Sequence, residues 1–70
     1  MSRCLELAVK FGLIPYRLGK VGEHYAILGG VNPLRPIMYI FTESEIVSEK
    51  KFKSLRDGLK FFACNAIVFE

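Results

Sequence analysis

The sequence predicts a small α+β domain covering residues 1–70, with two helices packed on a mainly antiparallel sheet in the order α-β-β-β-α-β. Three observations carry this expectation. Apolar residues recur at helical spacing near both ends of the chain. Between those ends, two strand-like stretches flank Gly22-Glu23, a dipeptide suited to a tight hairpin turn. The run "IMYIFT", residues 37–42, is apolar at both parities, as expected of a strand covered on both faces.

The first helix is read from "SRCLELAVKFG". Ser2 can cap its start and Gly12 can end it. Cys4, Leu5, Leu7, Ala8, Val9 and Phe11 spread over a wide apolar arc, which calls for a sheet or a partner subunit to cover it. Next, "IPYRLGKVGEHYAILGG" folds back at a type II′ turn, with Gly22 at the first central position. That register pairs Val21 with His24, Lys20 with Tyr25 and Leu18 with Ile27. It puts Tyr16, Leu18, Tyr25 and Ile27 on one face, and Arg17, His24, Ala26 and Leu28 on the other. Residues 29–36, with two Gly and two Pro, form a loop.

"ESEIVSE" is compatible with more than one conformation. Capping boxes at Thr42 or Ser48 would start a second helix there. The basic helix then covers residues 50–64, with Asn65 as a left-handed end and "AIVFE" as a last short strand. On that helix Phe52, Leu55, Leu59, Phe62 and Ala63 make one apolar face. Lys50, Lys53, Arg56 and Lys60 run along a flank, and Phe61 points away from the core. Gly58 weakens the helix or lets a neighbour approach closely.

The stretch 7–21 also resembles a helix-turn-helix in the spacing of Ala8, Gly12, Leu13, Leu18 and Val21. Gly19 and Gly22 would weaken its second helix, and the hairpin accounts for the same residues.

Composition narrows the function. The chain is 51% hydrophobic with six Phe and three Tyr, which marks a folded domain and more apolar surface than one small core needs. No apolar run is long enough to span a bilayer, and no signal peptide is read at the start. Cys4 and Cys64 are expected as reduced thiols in a cytoplasmic protein. With His24 they make three potential metal ligands without close spacing, so neither metal nor other cofactor is expected. No phosphate-binding glycine loop, dinucleotide fingerprint or nucleophile–base pair is found, and Glu43, Glu45 and Glu49 suit a helix start better than acid–base chemistry.

These readings predict a non-enzymatic protein-binding module, an adaptor, regulator or inhibitor that self-associates. Phe61, Phe69, Leu7 and Phe11 are its candidate contact residues, as large apolar anchors. The alternative is a nucleic-acid-binding module. The +3 net charge lies wholly in residues 50–70, where Lys50, Lys51, Lys53, Arg56 and Lys60 outnumber Asp57 and Glu70. Lys50, Lys53, Arg56 and Lys60, helped by Arg17 and Lys20, would then contact phosphates.

Overall fold

The computed structural model describes residues 3–32 and 34–68. The order is α1 (Arg3–Lys10), β1 (Pro15–Val21), β2 (His24–Gly29), β3 (Ile37–Phe41), β4 (Ile46–Lys51), α2 (Leu55–Asn65) and β5 (Ile67–Val68). The five strands form one sheet in the order β4-β3-β2-β1-β5, antiparallel at every pairing. The α+β class is as the sequence predicts. The element order gains a strand, β4, where a helix start was expected. The helix-turn-helix alternative is overturned, because residues 15–21 are strand rather than recognition helix.

The two helices lie on opposite faces of the sheet. Cys4, Leu7 and Ala8 of α1 pack on Ile27 and Phe41, with Leu18, Tyr25 and Tyr39 around them. Phe62 of α2 packs on Ala26, Leu28 and Met38, with Ile40, Leu59 and Phe61 at the margin. Alternation along β2 and β3 sends neighbouring residues to opposite cores. Residues 26–29 of β2 are therefore all buried, and the two-sided apolar run of β3 has the same cause.

α1 closes on a Schellman motif. Gly12 takes φ +76°, its N–H bonds the Val9 carbonyl at 3.0 Å, and the Leu13 N–H bonds the Ala8 carbonyl at 2.8 Å. The hairpin has the expected register, Val21 with His24, Lys20 with Tyr25 and Leu18 with Ile27. Gly22 has φ +61° and no residue other than glycine has positive φ among those described, as a type II′ turn requires. Tyr16 departs from its expected face. The register shifts between Pro15 and Arg17, and the Tyr16 hydroxyl donates to the Gly30 carbonyl at 2.6 Å.

Neither predicted capping box starts a helix. Thr42 instead closes a turn: its hydroxyl accepts from the Ser44 and Glu45 N–H groups, and its own N–H bonds the Glu45 carbonyl at 2.8 Å. The chain then runs as β4 along β3, with a bulge between the Ile46 and Ser48 pairings. α2 begins later, at Ser54, whose hydroxyl accepts from the Asp57 N–H. Lys50 and Lys53 are thus off the helix, on β4 and in the following connection.

Gly58 explains the seating of α2. A Cβ there would fall 2.8 Å from Pro36 Cγ and 3.2 Å from Leu28 Cδ1. The helix therefore turns its Gly58–Phe62 side inward, and Ala63, placed on the apolar face by spacing alone, is exposed. Asn65 is the last helical residue, its amide donating to the Phe61 carbonyl at 2.9 Å. Extended Ala66 caps the helix, so no left-handed end forms. The Ser2 cap and Phe69 lie outside the described residues.

Candidate binding groove at the basic end of the sheet

The strand pairings give the molecule two chemically different ends. Gly29 pairs with Ile37, and Ile37 with Lys51, which defines one end. Tyr25 pairs with Phe41, and Phe41 with Ile46, which defines the other. The turns at this second end carry Glu23, Glu43 and Glu45. The first end carries Arg35, Lys51 and Lys53. β4 links the two, acidic where it begins and basic where it leaves the sheet. Charge that looks like one C-terminal block in the sequence is therefore half of a polarity along the strands.

At the basic end, Arg35, Lys51, Lys53, Ile37 and Phe52 line an open cleft of about 600 Å³. Arg35 and Ile37 also line a second cleft of about 270 Å³, whose other walls include Leu13, Ile14 and Val31. The shared residues make one groove, cationic on one side and aliphatic on the other. Among the described residues, no acidic side chain lines either part. The backbone is fixed around it. Asn32 Oδ1 accepts from the Leu34 N–H at 2.9 Å, the Asn32 carbonyl accepts from the Arg35 N–H, and the Pro36 carbonyl accepts from the Phe52 N–H. Val31 is 91% exposed, Leu34 71% and Ile14 53%, so this end also carries exposed aliphatic surface.

Among the described residues, the ion pairs belong to Arg3, which meets Glu43 at 2.9 Å and Glu6 at 4.0 Å. Arg35, Lys51 and Lys53 thus keep their charge available to a ligand.

The residues expected to bind a partner are mostly used inside the fold. Leu7 is 1% exposed and belongs to the core, so it offers no surface. Phe11 is half-buried, with its ring edge-on to Phe41 at 5.7 Å. Phe61 is also half-buried. Its ring lies 5.4 Å from Phe52, and Lys50 Nζ stands 5.1 Å from its centre and 5.7 Å from that of Phe52. The spare aromatic of the helical reading is therefore half of a packed pair under an ammonium.

The residues expected to bind phosphates do not form one helical stripe. Only Arg56 and Lys60 lie on α2. Lys53 joins the groove, Lys50 covers the aromatic pair, and Arg17 and Lys20 lie on β1, with Arg17 Nη1 donating to the Tyr16 carbonyl. Sequence reasoning missed Arg35 and Lys51. Placed on a helix, Lys51 falls on its apolar side, whereas on β4 it is exposed at the end of the strand. Arg35 lies in the Gly/Pro loop, and only strand pairing brings it to Lys51.

Cys4 is buried under the sheet with its Sγ 3.6 Å from the Ala26 carbonyl, and burial pushes its thiol pKa up. Cys64 is exposed on α2, on the opposite face, and no disulfide joins the two. Among the described residues, no three His, Cys, Asp or Glu side chains gather as a metal site, and no helix is long and apolar enough to cross a membrane. Comparison with protein-family models, curated proteins and solved structures finds no match for this chain.

Proposed function

We propose that this chain is a non-enzymatic protein-binding module, acting as an adaptor, regulator or inhibitor, whose basic end docks an acidic segment of a protein partner. The observation that carries the reading is the groove in which Arg35, Lys51 and Lys53 adjoin Ile14 and Val31. Cations alone suit any polyanion. The aliphatic half favours a peptide, whose acidic residues meet the cations while an apolar side chain covers Ile14 and Val31. Bases would need an aromatic platform to stack on, and the aromatics of the groove, Phe52 and Tyr39, are both partly buried, Phe52 against Phe61. Self-association and a reducing, cytoplasmic setting belong to the same proposal. The second is supported by two unbridged thiols on opposite faces of the sheet.

A nucleic-acid reading keeps one observation in its favour: Arg56 and Lys60 are exposed on α2, outside any ion pair among the described residues. An anisotropy titration separates the two. The probes are a labelled acidic-aliphatic peptide, its Gln-for-Glu counterpart and a random single-stranded oligonucleotide, each at about 50 mM and about 200 mM salt. The proposal expects the acidic peptide to bind best, and Arg35→Glu with Lys53→Glu to abolish that binding. Tighter oligonucleotide binding that falls steeply with salt and is lost in Arg56→Glu with Lys60→Glu would replace it with the nucleic-acid reading.

A further inference from the structure

We infer that the acidic segment docked at the basic end belongs to a second copy of this chain, joined antiparallel along β4. The inference rests on the protein-binding reading above and names its partner. β4 is one of the two outer strands of the sheet and, among the described residues, pairs with β3 on one side only. Its other side presents backbone N–H and C=O groups without a neighbouring strand.

Edge strands are commonly protected by charge and by bulges, and β4 has both. The signs of the charges, however, are sorted along it. Glu43 and Glu45 precede the strand, and Lys51 and Lys53 end it. A parallel mate would set Glu45 beside Glu45 and Lys51 beside Lys51. The bulge makes Ile46 and Val47 one step of the strand, so an antiparallel mate centred on Ser48 sets Ile46 and Val47 across from Glu49 of the second copy and Glu45 across from Lys50, next to Lys51. No like charges face each other in that register. Centring the pair on Glu49 sets that carboxylate against itself. The charges thus protect the edge against most partners and favour an antiparallel copy. The contact is isologous, so it closes as a dimer and makes the two sheets continuous.

Analytical ultracentrifugation of the wild-type chain, Glu45→Lys, Lys51→Glu and an equimolar mixture of the two variants tests this at about 50 mM salt, with circular dichroism to confirm folding. Both side chains are exposed and outside ion pairs among the described residues, so both variants are expected to fold. The expected result is a wild-type dimer, at least about tenfold weaker association in each variant alone from like charges brought together, and recovery in the mixture. A monomeric wild type overturns the inference, as do variants that dimerise as well as wild type or a mixture of folded variants that stays monomeric. Titrating Glu45→Lys, whose groove is intact, with the acidic peptide separates the two ideas. Binding there without wild-type dimerisation removes only the self-pairing, whereas absence of peptide binding removes the docking reading itself.

Discussion

Gly58 is the residue on which the seating of α2 depends. Replacement by alanine ordinarily favours a helix by about 1 kcal/mol. Here the added methyl would meet the ring of buried Pro36 at 2.8 Å and Leu28 at 3.2 Å, and a pyrrolidine ring cannot swing aside. Gly58→Ala is therefore expected to lower stability by about 1–3 kcal/mol, the usual cost of overfilling a core. A lower urea midpoint with unchanged slope checks it, and a raised midpoint would mean that the helix does not approach so closely. The thiols differ in the same way. Cys64 is exposed, whereas Cys4 is buried with its thiol pKa raised by burial. Mass spectrometry after iodoacetamide treatment of the folded chain is expected to show one modification, at Cys64, with Cys4 reacting only in denaturant. Fast labelling of Cys4 would show that α1 lifts from the sheet.

At the scale of elements, the clearest parts of the sequence were those where apolar spacing and turn chemistry agree. The hairpin register followed from one Gly-Glu pair and the alternation on either side of it, and α1 ended at Gly12 because only a left-handed residue completes its cap. β4 was not legible. An exposed edge strand buries almost nothing, and of Ile46–Lys51 only Ile46 is even partly covered. Its sequence therefore lacks the alternation that marks a strand, while its charges resemble a helix start. That ambiguity carried Lys50, Lys51, Phe52 and Lys53 onto a helix they do not join, and it made Phe61 look spare when its partner is Phe52. The true start of α2 gives a direct test. Ser54→Ala removes the hydroxyl that accepts from the Asp57 N–H and is expected to cost about 1 kcal/mol. Ser48→Ala, on the exposed edge of β4, is expected to be nearly neutral. The reverse ranking in thermal denaturation would restore a helix beginning near Ser48.

At the scale of the whole molecule, the sheet turns a linear charge pattern into opposed ends. Glu23, Glu43 and Glu45 gather at the end that holds the β1–β2 and β3–β4 turns. Arg35, Lys51 and Lys53 gather at the other, together with Ile14, Val31 and Leu34. None of this was legible residue by residue, because Arg35 and Lys51 are brought together only by the pairing of β3 with β4. Of the aromatics that first suggested a partner, Phe41 and Phe62 are buried, and Phe11, Tyr16, Tyr25, Tyr39, Phe52 and Phe61 are partly covered. What remains for binding is a cationic and aliphatic groove, and the central claim is that it docks acidic protein sequence. Nitrogen–proton correlation spectra of the labelled chain during titration with an acidic-aliphatic peptide test that claim most directly. Docking in the groove is expected to give shifts that cluster at Ile14, Val31, Arg35, Ile37, Lys51 and Lys53 and vanish when the peptide's Glu residues are replaced by Gln. Shifts confined to Arg56 and Lys60 on α2, or no shifts at all, would contradict it.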